Sequence, residues 1–306
     1  MVRMMRWLWA IVAVLPVAAA AKDGAPELLA HTGKWQVDYD KEACHLLGKF
    51  GAGDEEVVAR FTRYQPGDPF DLTLYGKRLR GLQPSVRVEV AFGPSGTPLE
   101  REAMTGIAGK TPMLLLSGLR LDGSPAETAH LPAIAPARET ATASATFIIP
   151  RKRAFRLGFG SLGQPLAAMR ACQTDLVRHW GFDPEVHARL SRPVTPVGDP
   201  ASWLNTADHP LPVEIEDNNV VVQYRLDVDP DGIVSACHVL YRTKPDAFGD
   251  LVCGDISRNA RFRPALDAAG KPVRSFYVNR VRWSARQTRR TDRFPVRHRG
   301  DTPTHS

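Results

Sequence analysis

The first 21 residues constrain this chain more than any other segment, because they set the compartment in which it folds. The segment MVRMMRWLWAIVAVLPVAAAA places two arginines before an apolar run from Trp7 to Val17, and alanines follow from Ala18 to Ala21. This order is typical of a secretory signal peptide, and the apolar run is shorter than the roughly 20 residues of a membrane-spanning helix. We predict cleavage near Ala20-Ala21 and export as a soluble protein; an uncleaved anchor is the alternative.

Export also predicts how the cysteines are used. Cysteines in an exported chain are usually oxidised, and an even number suggests disulfides. The chain has Cys44, Cys172, Cys237 and Cys253, which allow three pairings that spacing alone does not distinguish. None of them lies in a C-x-x-C or H-x-x-x-H arrangement that brings metal ligands together, so we predict two disulfides and no metal ion.

The residues after the signal peptide divide into two patterns. Residues 22–190 hold short alternating segments that indicate strands, such as Trp35–Asp40 and Ser85–Gly93, and then a helix at Pro165–Trp180. Residues 191–202 are rich in proline and indicate an extended linker. We therefore expect a mostly-β N-terminal domain and a second domain at residues 203–286.

The second domain has the order strand, strand, helix, strand. Alternating apolar residues predict strands at Asn219–Val228 and Ile233–Arg242, joined by a tight turn at Asp229–Gly232. A short helix is predicted at Ala247–Ala260 and a third strand at Val273–Trp283. One apolar face of three strands needs a cover, and this helix is the candidate.

This second domain resembles the C-terminal domain of the TonB energy-transducer family over Trp203–Ser284. The resemblance lies in His209-Pro210 before the first strand, the hairpin Val228–Val234, the run Arg261–Val273 and the terminal aromatic Trp283. Together with the strand pattern before it, the resemblance implies an α+β chain. Its parts would be a mostly-β N-terminal domain with one stapled helix and a TonB-like domain, ββαβ, in which one helix packs on a three-stranded antiparallel sheet.

The resemblance also implies a disulfide. The second domain looks like that of a subgroup in which Cys237 on a strand is bridged to Cys253 on the helix. This would leave Cys44 and Cys172 for a second bridge between the first strand region and the N-terminal helix. A bridge that closes a loop of about 16 residues is worth roughly 3 kcal/mol in the chain-entropy model.

The resemblance implies a partner as well. In the family the last strand offers its edge to an extended receptor segment, and such pairing needs an unpaired strand more than side-chain chemistry. The residues implied here are Val273, Phe276, Val278, Arg280, Arg282 and Trp283. The expected partner is a peptide of an outer-membrane receptor or another envelope protein, met in the periplasm, and a homodimer stays open. An edge that its own arginines and Pro272 protect is the alternative.

The chain departs from the family where energy transduction is concerned. No histidine precedes His31, and the linker at residues 191–202 is short. The function expected is therefore that of an exported, non-enzymatic binding module, similar to proteins of TonB-dependent outer-membrane transport. If residues 1–21 stay in the inner membrane, the protein would be anchored there and face the periplasm, and transduction would return as the leading hypothesis.

The C-terminal end suggests a second function. From Arg280 to Ser306 there are eight arginines and two aspartates, in a chain whose net charge is +7. Residues 287–306 lack apolar periodicity and are predicted to be a disordered basic tail. The alternative function is a structural envelope protein that adheres to an anionic polymer through this tail. Nucleic acid is not an expected partner after export.

One motif suggests a cofactor. Residues Gly158–Gly163 read GFGSLG and match the dinucleotide-binding pattern G-x-G-x-x-G, and Asp183 follows at a suitable distance. No second strand is predicted after the helix, so we interpret the glycines as a turn and expect no cofactor. No G-x-S-x-G motif is present, and a hydrolase with its site in the N-terminal domain is the third hypothesis.

Overall fold

The computed structural model describes residues 25–93, 96–126, 131–204, 220–243 and 246–283. Three predictions lie outside these ranges: the signal peptide at residues 1–21, the contribution of His209-Pro210 and the basic tail at residues 287–306. Within the described ranges, no helix is long and apolar enough to cross a membrane.

The first nine strands of the described ranges close into a barrel. Their bounds are β1 Glu27–Tyr39, β2 Cys44–Phe50, β3 Val57–Arg63, β4 Phe70–Tyr75, β5 Ser85–Phe92, β6 Leu99–Ala108, β7 Thr111–Leu119, β8 Ser144–Ile148 and β9 Phe155–Gly158. Their order around the barrel is β1-β2-β3-β4-β7-β6-β5-β8-β9. Neighbouring strands are antiparallel except β1 and β9, whose parallel pairing closes the barrel.

The barrel is filled by side chains that alternate along its strands. Leu46, Phe61, Leu72 and Leu116 stand opposite one another in register across β2, β3, β4 and β7. Each of the four is at most 1% exposed, because successive side chains of a strand point to opposite faces and these all point inward. The interior is therefore a packed core.

Helices lie against one end of the barrel. They are α1 Pro136–Ala141, α2 Gly163–His179 and α3 Pro184–Ala188. Leu166, Met169 and Leu176 of α2 belong to the barrel core. Helix α2 stops at a Schellman motif, in which the Gly181 and Phe182 amides donate to carbonyls of the last turn and Gly181 has a φ of 79°.

The rest of the described chain is built around a three-stranded sheet. Its elements are β10 Thr195–Pro196, β11 Val220–Val228, β12 Val234–Arg242, α4 Ala247–Asn259, β13 Phe262–Arg263, β14 Ala265–Leu266, β15 Pro272–Val273 and β16 Ser275–Trp283. Strands β12, β11 and β16 pair antiparallel in that order, and β10 with β13 and β14 with β15 form two short pairs. Three-residue to four-residue 3-10 helices occur at Gly53–Glu55, Lys77–Leu79 and Pro200–Trp203.

Both faces of this sheet are covered. One face packs on α4, where Tyr224 and Leu226 of β11 share a core with Phe248 and Val252. The opposite face packs on the barrel and α2, and every residue of β11 is buried as a result. There the Arg225 guanidinium lies 4.4 Å above the centre of the Trp180 ring.

The predicted fold class was wrong. The N-terminal strands are not simply a mostly-β layer, because nine of them close into a barrel of mixed pairing. Nor does a small ββαβ unit stand beside it, since Leu240, Phe276 and Val278 of the sheet pack into the barrel core cluster. The physical reason is that closure depends on the pairing of β1 with β9, which are far apart in the chain and leave no local pattern.

The prediction of two disulfides is confirmed. Cys44, the first residue of β2, is bonded to Cys172 of α2, and Cys237 of β12 is bonded to Cys253 of α4. The first bridge ties α2 to the barrel. The second ties α4 to the sheet that it covers.

Candidate functional site

Strand β16 forms one edge of the three-stranded sheet. Its nine residues pair with β11 in an unbroken register from Ser275 opposite Val228 to Trp283 opposite Val220. Within the described residues, no strand pairs with its other side. The opposite edge strand, β12, differs because its pairing with β11 has two register shifts. Bulges are a common protection of strand edges, so β16 is the more regular of the two edges.

A cavity of about 370 Å³ lies beside the first half of this edge. On one side it is bounded by Ser275 to Val278 of β16, and on the other by α2, α3 and the segment that follows α3. Most of the lining side chains are apolar, and they include Val177, Pro184, Leu190, Pro193, Phe276 and Val278. We call this space the edge groove.

The far wall of the edge groove is held by local structure in α3. Asp183 is the N-cap of this helix, and its Oδ1 accepts hydrogen bonds from the amides of Glu185 and Val186 at 2.8 and 3.3 Å. Pro184 occupies the first helical position, where a missing N–H costs nothing. This start turns the side chain of His187 toward β16.

His187 connects the wall to the strand. Its Nδ1 lies 2.8 Å from the Asp183 carbonyl oxygen, and its Nε2 lies 3.1 Å from the Ser275 hydroxyl. A carbonyl only accepts, so Nδ1 carries a proton, and in the neutral ring Nε2 accepts from the Ser275 hydroxyl. The ring also stacks on Phe276, with centroids 5.2 Å apart and planes 10° from parallel.

The hydrogen bond between Ser275 and His187 has the reach of a nucleophile and its base. Ser275 is, however, only 2% exposed at the beginning of β16, and the ring of its partner His187 is stacked on Phe276. The arrangement instead fixes the start of the strand against α3. We therefore assign His187 and Ser275 a structural role at the groove.

An aromatic cluster surrounds Phe276, one of the residues that line the edge groove. Phe276 makes edge contacts with Trp180 and Phe182, each with ring centroids 5.2 Å apart. The Arg274 guanidinium lies 4.3 Å above the Phe182 ring and also binds the buried Asp227 carboxylate at 2.9 Å. These contacts hold the beginning of β16 in one position, which preorganises its edge.

Tyr277 lines the groove on the side of the sheet that faces α4. Burial raises the pKa of its hydroxyl, which accepts a hydrogen bond from the Asn279 amide at 2.8 Å. The ring itself packs on Trp203 and Phe262, which fixes this residue of β16 against the α4 side of the sheet.

The predicted edge residues are divided by the structure. Phe276 and Val278 line the edge groove, as the interpretation of the last strand requires. Arg280 and Arg282 point toward the barrel, where they pair with Asp71 at 3.0 Å and Glu102 at 3.5 Å. Val273 and Trp283 are placed elsewhere: Val273 lies in β15, Trp283 contacts Phe248, and both pack on the α4 side of the sheet.

The groove residues that sequence reasoning missed belong to α2, α3 and residues 190–194. Asp183-Pro184 is a helix-start signal that identifies α3. Residues 191–202, predicted as a linker, run beside the sheet: the Ser191 amide donates to the Leu266 carbonyl, and Thr195 pairs with Arg263. No local signal showed that these segments face β16.

The glycine-rich motif lies at the end of β9. Phe159 is buried in the barrel core, and Gly160 has a φ of 74° in the turn that leads into α2. The Ser161 hydroxyl accepts from the Gly163 amide at 3.3 Å. Across the described residues, no cluster of three or more His, Cys, Asp or Glu could hold a metal ion.

No family model, no curated protein and no solved structure matches this chain. Statements about function therefore depend on the geometry of the edge groove and the surfaces around it.

Proposed function

We propose that this protein is a non-enzymatic binding protein that takes an extended peptide segment along the open edge of β16. The observation that supports this most is the combination of a regular nine-residue strand edge with an apolar cavity beside it. Backbone groups of the edge would supply affinity by strand addition, and the cavity would select side chains.

The cavity has the size for this role. Ligand pockets usually measure about 300–1,000 Å³, are mostly apolar and carry a few polar groups. The edge groove, at about 370 Å³, lies at the lower end of this range. Because alternate residues of an added strand face the same side, every second side chain of the peptide would face the groove wall.

The arginines of β16 do not shield the edge. Charged side chains often protect strand edges against unwanted pairing. Here Arg280 and Arg282 are engaged with acids of the barrel and are each about 30% exposed, at 31% and 30%. Pro272 lies in β15, before the strand begins. Neither the arginines nor Pro272 therefore block the backbone edge from Phe276 onward, where the Arg280 amide is bonded to Asn279 Oδ1 at 2.8 Å.

The partner proposed for the edge of β16 is the one predicted from the sequence. Its partner would be a periplasmic segment of an outer-membrane receptor or of another envelope protein, met after export, as the resemblance to the TonB energy-transducer family implies. Membership of that family remains a prediction. A second copy of the chain could pair edge to edge through the same strand, and the basic tail at residues 287–306 could hold an anionic polymer.

The test is to fill the edge groove without changing the core. Ala188 is exposed and lines the groove, so Ala188→Trp would occupy it. Ala167→Trp, on the exposed surface of α2 outside the groove, is the matched control. The probe is a set of fluorescent peptides from periplasmic segments of outer-membrane receptors, with binding followed by anisotropy.

We expect binding to the unchanged protein and to Ala167→Trp, and a loss of at least about tenfold in affinity for Ala188→Trp, which corresponds to about 1.4 kcal/mol. Equal binding by both variants would show that the peptide occupies another surface. Sedimentation of the free protein as a dimer that Ala188→Trp dissociates would assign the edge to a second copy.

A further inference from the structure

The end of the barrel farthest from α2 carries a basic surface. Residues Lys77, Arg78 and Arg80 lie on and after a 3-10 helix, and Arg151, Lys152 and Arg153 form the turn between β8 and β9. The Lys152 ammonium donates to the Arg80 carbonyl at 2.6 Å, so the two segments are adjacent. We call these six residues the basic end.

Acids balance only part of this charge. Asp54 pairs with Lys77 at 2.6 Å, and Glu27 pairs with Arg153 at 3.6 Å. Arg78 is only 11% exposed and pairs with both Glu27 at 3.1 Å and Glu55 at 3.4 Å, so the exposed charge comes from the other five cations. Among the described residues, no ion pair involves Arg80, Arg151 or Lys152. Arg151 has a φ of 64°, which makes it the non-glycine residue with positive φ in the described chain. Arg151 and Arg153 of this turn are exposed. The positive φ of Arg151 carries a conformational cost.

Exposed aliphatic side chains surround the basic end. Ile107 is 73% exposed beside the turn between β6 and β7, and its partner Pro112 accepts a hydrogen bond from the Gly76 amide directly before Lys77. Ile148, the last residue of β8 before the turn that holds Arg151, is 48% exposed. A soluble polyanion needs only the cations, whereas a bilayer also takes up apolar side chains, so this combination favours a lipid surface.

The chain reaches the barrel at the same end. Strand β1 begins at Glu27, whose carboxylate binds Arg78 and Arg153. The residues that precede it include the apolar run from Trp7 to Val17. If this run is retained, the part of the described structure that is nearest to it along the chain is the basic end.

We propose that the basic end of the barrel docks on an anionic lipid surface, with headgroup phosphates bound by its cations and Ile107 in the interfacial region. Strand β3 runs from Val57 at this end to Arg63 at the other, where Gln65 and Pro66 line the edge groove. Docking would therefore leave the groove directed away from the bilayer. The proposal does not depend on the peptide-binding function.

The experiment is flotation of the full chain with vesicles of phosphatidylcholine mixed with phosphatidylglycerol, and with vesicles of phosphatidylcholine alone. The test variant combines Arg151→Asn, Lys152→Ser and Arg153→Ser, in which asparagine tolerates the positive φ. The matched control removes three exposed cations elsewhere, with Lys41→Ser, Arg263→Ser and Lys271→Ser. Equal melting temperatures of the two variants would show that both remain folded.

Each basic residue near an anionic bilayer changes binding about fivefold, so the test variant should bind the mixed vesicles about 100-fold more weakly than the control. High salt should weaken the binding of the unchanged chain to the mixed vesicles. Ile107→Ser should weaken the binding that is still measured at high salt. The proposal would be overturned if the chain did not bind the mixed vesicles, or if both triple variants lost binding equally. It would also be overturned if Ile107→Ser had no effect and the chain bound soluble polyphosphate equally tightly.

Discussion

The ion pair between Arg280 and Asp71 joins the sheet to the barrel, and its removal should cost measurable stability. The Asp71 side chain is 8% exposed. Arg280 Nη1 donates to its two oxygens at 3.0 and 3.2 Å, and the Gly118 amide donates to Oδ1 at 2.9 Å. Arg280→Met keeps most of the stem and leaves the carboxylate with the Gly118 amide alone. Breaking a buried pair costs about 3–5 kcal/mol. Because Arg280 is 31% exposed, we expect about 2 kcal/mol here.

The neighbouring arginine on the same face provides the control. Arg282 is 30% exposed, but its partner Glu102 is 56% exposed at 3.5 Å. Arg282→Met should therefore cost less than about 1 kcal/mol. Urea unfolding followed by tryptophan fluorescence and far-UV circular dichroism measures both values and should show one shared transition. Equal losses for the two variants, or separate transitions for barrel and sheet, would refute the reasoning that a buried pair holds the sheet on the barrel.

Two other predictions use the turns and tyrosines of the sheet. Gly232→Ala places a Cβ 2.0 Å from the Phe262 carbonyl oxygen and should lower the free energy of unfolding by about 3 kcal/mol or more. Gly270→Ala, at a similar φ with nothing within 4 Å, should lower it by about 1 kcal/mol in the same thermal unfolding experiment. Equal losses would show that the close approach at Gly232 is wrong. Burial raises the pKa of three tyrosines of the sheet, Tyr224, Tyr241 and Tyr277. Their raised folded pKa gives stability that is complete below about pH 10, where unfolded tyrosine ionises, and is lost as the pH rises further. Ultraviolet titration of the protein and of its Tyr→Phe variants at these three positions should show that the three ionise only as the sheet unfolds, and a reversible ionisation near pH 10 that one of these variants removes would count against it.

Local elements could be predicted from the sequence because their signals are local. Helix α2 was predicted at Pro165–Trp180 and is found at Gly163–His179, since apolar residues at helical spacing needed one buried face. The hairpin of β11 and β12 was set by its tight turn at Asp229–Gly232, where the Gly232 amide donates to the Asp229 carbonyl. These features need no knowledge of distant residues.

Barrel closure and the site could not be predicted in the same way. The pairing of Glu27 with Phe155 joins residues that share no local pattern. Phe276 and Val278 were expected on the last strand's edge, but the opposite wall of the groove comes from Val177 and His187, about a hundred residues earlier in the chain. A single sequence without that contact gives no reason to bring them together.

The barrel also determines what the arginines predicted for the edge of β16 contact. Arg280 and Arg282 alternate with Tyr277 and Val281 along β16, as any half-buried strand requires. Without the barrel, the arginines would face solvent or a partner. With it, they face Asp71 and Glu102, and the surface left for a partner is the backbone edge itself.

Amide hydrogen exchange of β16 tests the central claim most directly. In an edge strand only alternate amides bond to the neighbouring strand, so from Phe276 to Arg282 slow and fast amides should alternate in the free protein. Addition of a receptor-derived peptide should slow the fast set and leave the β12 edge unchanged. Slow exchange at every amide of β16 in the free protein would mean that the edge is already paired, and the account of an open peptide-binding edge would be wrong.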